Sequence, residues 1–139
     1  MRGFGTTARR LTSLSLLLAL TFVSGCASLP PARSVSDIAS LEGKWTGTGG
    51  TIQSGSGPIE FTIRRDGTFD LFVPWMGSGG TKIPGTFKLE GNSIFYETET
   101  RIGFATLHED GPTRTLVIKG KNRKDGGDLG ESKVTQVRR

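Results

Sequence analysis

From Lys44 onward, residues that can turn a backbone sharply recur roughly every 8–12 positions, the spacing expected of short antiparallel strands. Arg65-Asp66-Gly67, Glu90-Gly91-Asn92, Asp110-Gly111-Pro112 and Asp125-Gly126-Gly127-Asp128 are the clearest of them. Each sets a glycine able to take positive φ beside an Asp or Asn that can hydrogen-bond its own backbone. The chain holds 21 glycines and only 8% aromatics, a composition suited to turns and strands rather than helices. At 139 residues there is room for one domain with one core.

Between the turns the pattern alternates. Ile59, Phe61 and Ile63 oppose Glu60, Thr62 and Arg64, and Phe69, Leu71 and Val73 oppose Asp70 and Phe72. That period of two marks half-buried strands, and the pair around Arg65-Asp66-Gly67 is the best hairpin in the chain. Further strands are expected near 82–89, 93–99, 101–108, 114–121 and 132–138, with inward residues including Phe87, Tyr96 and Phe104. With the strand holding Trp45 this makes about eight, and no segment after the first quarter shows a helical period. A flat sheet of that size would leave two edges and one apolar face uncovered. Closure into a small antiparallel barrel removes both problems, and eight strands leave an interior wide enough for side chains or one small ligand. The expected fold is therefore all-β, with the domain spanning 41–139.

The first quarter is different in kind. Arg2, Arg9 and Arg10 precede an uncharged, leucine-rich run from Leu11 to Val23, too short for a membrane span but suited to a signal peptide. Val23-Ser24-Gly25-Cys26 then resembles the lipobox of bacterial lipoproteins. The resemblance implies that the Cys26 thiol is lipidated and that residues 1–25 are removed. A diacylglycerol plus an amide-linked acyl chain, at about 0.8 kcal/mol per buried methylene, would make the anchoring effectively permanent. Ala27, where an aspartate would favour the inner membrane, implies an outer-membrane lipoprotein facing the periplasm. Residues 26–40, with Pro30-Pro31 and several serines, read as a flexible linker. Within it, Ser36 ahead of Asp37-Ile38-Ala39 could cap a single helical turn.

At Gly43-Lys44-Trp45 the chain resembles the calycins, the superfamily of lipocalins, fatty-acid-binding proteins and avidins, whose first strand commonly opens with Gly-x-Trp. The resemblance implies an up-and-down barrel closed at its narrow end by Trp45, with Gly43 allowing close approach of the preceding turn. It also implies a basic side chain from the last strand stacked over that tryptophan, and Arg138 is the candidate by position.

Chemistry-bearing residues are sparse. His108 is the only histidine and Cys26 the only cysteine, so neither a histidine pair nor a cysteine cluster can hold a metal. Gly47-Thr48-Gly49-Gly50 and Gly77-Ser78-Gly79-Gly80 match no phosphate or dinucleotide loop. Ser54, Ser56 and Ser78 lack the spacing of a nucleophile elbow. Glu97 and Glu99 share a face expected to be solvated. No catalysis, cofactor or metal is expected. Nor is nucleic acid, because discounting the three leader arginines leaves 15 basic against 13 acidic side chains.

Two non-catalytic readings remain. In the first, a small hydrophobic or lipid-like ligand sits in a barrel mouth lined by Phe61, Phe69, Leu71, Trp75, Phe87, Tyr96 and Phe104. In the second, the core is filled and the domain is an envelope protein-interaction module, an inhibitor or assembly factor. Its contact surface would be Trp75-Met76 or the basic hairpin of Lys119, Lys121, Arg123 and Lys124.

Overall fold

A computed structural model of the chain describes residues 28–51 and 55–138. The signal sequence and Cys26 lie outside the described residues. Among the described residues nine strands form one antiparallel sheet: β1 Ala32–Arg33, β2 Gly43–Thr51, β3 Gly55–Ile63, β4 Thr68–Val73, β5 Thr81–Glu90, β6 Ser93–Thr98, β7 Arg101–Asp110, β8 Thr113–Asn122 and β9 Asp128–Gln136. Strands β2 to β9 pair each with the next, and β9 returns to β2, so the eight close into an up-and-down barrel. The expected fold class is the observed one.

The turns behave as their residues dictate. In the β3–β4 hairpin Gly67 sits at φ +86, while Asp66 Oδ1 accepts from the Thr68 amide at 3.0 Å and from its hydroxyl at 2.7 Å. Alternation along β3 and β4 buries Phe61, Ile63, Phe69, Leu71 and Val73 and turns the residues between them outward.

One end of the barrel is closed by the chain that precedes β2. Asp37, rather than Ser36, caps a 3-10 turn at Ile38–Leu41 by accepting from the Ala39 amide at 2.9 Å. That turn crosses the barrel end and buries Leu41 completely. The expected flexible linker is corrected here. Ala32 and Arg33 pair with His108 and Leu107 of β7, along the edge that the shorter β6 leaves open beyond Ile94. Val35 follows and is buried in the core. The folded unit therefore starts well before Leu41, because an open strand edge and an open barrel end both gain by being covered.

Candidate functional site

Trp45 is 0% exposed, and its indole N–H donates to Leu41 O at 2.9 Å, joining the first long strand to the crossing turn. Gly43, at φ +132, lets the chain turn from the plug into β2. The cation over the Trp45 ring is Arg114 of β8, 5.6 Å from the ring centroid, within cation–π range. Arg138, expected in that role, lies past the end of β9 and is exposed.

Arg114 does more than stack. It donates to Glu109 Oε1 at 3.1 Å, to Ser40 O at 2.9 Å and to Gln136 Oε1 at 2.9 Å. Gln136 in turn donates to Glu42 O at 3.0 Å. One guanidinium thus ties β7, β9 and the crossing turn together above Trp45. The sequence carried a signal for this, since Arg114 has the same parity as the inward-facing Leu116 and Ile118.

The residues expected to line a ligand cavity pack against one another instead. Phe69 stacks on Tyr96 with centroids 5.6 Å apart and planes within 6°, and it meets Phe61 edge-on at 5.1 Å and Phe87 at 4.8 Å. Phe61, Phe69, Leu71, Phe87 and Tyr96 are all buried. Gly85 makes this packing fit, since a Cβ there would lie 2.2 Å from the Phe69 ring. At the opposite end from Trp45, Trp75 folds back and donates from Nε1 to Pro58 O at 3.0 Å. Its ring occupies the space that a side chain on Gly57 would need. Together with Met76 and Arg101 it leaves an opening of only about 20 Å³ beside Ile59 and Leu71.

Phe104 is corrected outright. It is 56% exposed on the outer wall, because Gly103, Ala105 and Leu107 take the inward positions of β7. Gly103 stands opposite Tyr96, where a Cβ would lie 2.0 Å from Lys119 O, and Ile102 and Phe104 on either side of it face out. There Phe104 meets Phe95 edge-on at 5.7 Å. Phe95, Ile102 and Phe104 floor an outer groove of about 510 Å³, whose other wall holds Lys119, Lys121, Asp128 and Glu131.

The expected basic hairpin is partly neutralised. Lys119 pairs with Glu131 at 3.5 Å, and Arg123 pairs with Glu97, which also holds Lys88 at 3.2 Å. His108 is half-buried, with Nδ1 2.6 Å from Pro30 O. A carbonyl only accepts, so Nδ1 carries the proton and secures the incoming chain. Among the described residues no cluster of three His, Cys, Asp or Glu could hold a metal ion.

Three carboxyls lie below their ordinary range. Glu97 is held there by Arg123 and then Lys88, Glu109 by Arg33 and then Arg114, and Asp66 by the Thr68 hydroxyl and amide. A depressed folded-state pKa contributes stability that is present above the unfolded value, about 4.3 for Glu and about 3.9 for Asp. That contribution is lost as the pH falls through the folded value. The urea midpoint is therefore expected to stay level from neutral pH to about 5 and to decline below about 4. Glu97→Gln should flatten part of that decline, and an unchanged acid profile would refute the assignment.

Compared with known proteins, the chain matches no protein-family model, and no curated protein or solved structure matches it.

Proposed function

We propose that this chain is a lipid-anchored bacterial cell-envelope protein whose filled barrel acts, without catalysis, as an interaction module for another envelope protein. The lipobox-like Val23-Ser24-Gly25-Cys26 supports the anchor. The observation that carries the module reading is the contrast between an interior occupied by its own aromatic rings and an outer groove floored by Phe95, Ile102 and Phe104. A carrier of hydrophobic ligands needs space where Phe61, Phe69, Phe87 and Tyr96 are already in contact. The groove has the make-up of an interface centre: aromatic and aliphatic side chains within a charged rim. Its partner would bring an apolar side chain to Phe104 and a carboxylate to Lys121.

The test uses the full lipidated chain with a photo-crosslinking phenylalanine analogue at position 104, and a second chain with the analogue at the exposed Thr62 of β3, four strands away around the barrel. A discrete envelope-protein adduct at 104 but not at 62 is expected. Phe104→Asp should weaken co-purification of that protein by about 30-fold, the loss of a hot spot worth about 2 kcal/mol. Its fold should survive, because only the outer Phe95 contact is lost. Cys26→Ser should release the protein from the membrane fraction. Co-purification unchanged by Phe104→Asp would reject the groove, and unchanged membrane fractionation of Cys26→Ser would reject the anchor.

A further inference from the structure

We infer that the segment leading into the barrel is an orienting strap that holds the closed, Trp45 end against the membrane and points the Trp75 end away from it. This rests on the proposed lipid at Cys26. The direction of the strap comes from strand register. β1 runs antiparallel to β7, with Ala32 opposite His108 and Arg33 opposite Leu107, so the chain before Ala32 emerges beside Asp110. Asp110 opens the β7–β8 turn, at the same end as Arg114 and Trp45.

The strap is fastened at several independent points. The His108 ring bonds Pro30 O at 2.6 Å, Arg33 pairs with Glu109, and Val35 and Leu41 are buried. Fastening that begins at Pro30 leaves four peptide steps from Cys26. Fully extended, they reach about 14 Å. A barrel on so short a leash cannot turn its far end to the bilayer, whatever its surface charge.

The surface at that end suits the position. Among the described residues only Leu29, Phe104 and Val137 are large hydrophobics with more than a third of their surface exposed. Two of these, Leu29 at 38% and Val137 at 45%, lie at the closed end. Beside Val137 an open cleft of about 1010 Å³ is lined by Lys44, Arg64, Arg114, Arg138 and Glu42, and Lys44, Arg64 and Arg114 are already paired with Glu60, Asp70 and Glu109. Arg138, exposed and outside every ion pair among the described residues, is the cation this sector presents to headgroup phosphates, while Glu90 and Asp110 occupy the other side of the rim. The aromatic groove, by contrast, runs along the wall of the far half, near Arg101 and Asn122, where the parent membrane does not obstruct it.

Cys26 is the only cysteine, so once it is lipidated an introduced cysteine is the only free thiol. Full-length protein carrying Val137→Cys or Ser78→Cys would be labelled with a fluorophore and reconstituted in vesicles containing a headgroup-linked quencher. Quenching several-fold stronger at 137 than at 78 is expected. Inserting about ten Gly/Ser residues between Ala27 and Ser28 frees the leash without touching the barrel, and it should bring the two labels to the same level. Equal quenching in the native-length chain, or a contrast that survives the insertion, would overturn the strap. Intact mass on the same samples separates the two layers. A chain without lipid on Cys26 overturns the anchor and the orientation together, whereas lipid with equal quenching overturns the orientation alone.

Discussion

Trp45→Ala is expected to cost about 4–5 kcal/mol, a large share of the roughly 5–15 kcal/mol that stabilises an ordinary domain. Three losses coincide. The indole is fully buried, so its removal opens a cavity beneath the crossing turn. Its N–H no longer meets Leu41 O, leaving an acceptor unpaired inside the barrel end. Arg114 loses the ring beneath its guanidinium while keeping its bonds to Glu109, Ser40 and Gln136.

Trp45→Phe keeps most of the apolar volume and should cost about 2 kcal/mol, from the lost hydrogen bond and the smaller ring. Urea titrations of the two variants decide the matter, and a Trp45→Ala midpoint close to the parent would show that the end is closed by something else. Arg114→Met and Arg138→Met sharpen the assignment. The first removes a donor shared by three elements and should cost about 2–3 kcal/mol, since hydrogen bonds to a charged group are involved. The second touches an exposed residue and should stay within about 0.5 kcal/mol.

Much of this barrel was legible in the sequence because its turns and alternation are locally encoded. Gly67, Gly91 and Gly111 take positive φ where an Asp or Asn stands within two positions, and the strands between them alternate from their own side chains. Closure also followed, since it is the one arrangement that leaves neither edges nor an apolar face exposed.

What failed depended on neighbours brought together only by the fold. Phe104 alternates correctly with Ile102 and Thr106, but β7 puts Gly103, Ala105 and Leu107 on the inner face, and a Cβ on Gly103 would meet Lys119 O of the neighbouring strand at 2.0 Å. Arg138 was favoured by its place in the expected last strand, whereas the ring of Trp45 is covered from β8 by Arg114. The linker looked free because its prolines and serines bury little by themselves; two residues of strand pairing and the buried Val35 fasten it. Whether the interior was open or filled was likewise not readable, because it depends on Phe69 lying flat over Gly85.

The seam between β7 and β8 offers the sharpest test of the packing, because Gly103 and Gly120 face each other directly across it. Their substitutions should nevertheless diverge. A Cβ on Gly103 would lie 2.0 Å from Lys119 O and 2.8 Å from the Gly120 Cα, backbone atoms that cannot move without parting the strands. A Cβ on Gly120 would meet Ile102 O at 3.6 Å and the Tyr96 ring at 3.8 Å, ordinary contacts both.

Gly103→Ala is therefore expected to cost about 3 kcal/mol, at the upper end for overpacking, since the relief must come from a ladder that closes the barrel. Gly120→Ala should be neutral or stabilising by up to about 0.5 kcal/mol, because alanine restricts the unfolded chain. Equal urea midpoints for the two variants would show that the seam is looser than this geometry requires. A large difference in the expected direction would establish that the close approach of the Lys119–Gly120 backbone is what requires glycine at position 103.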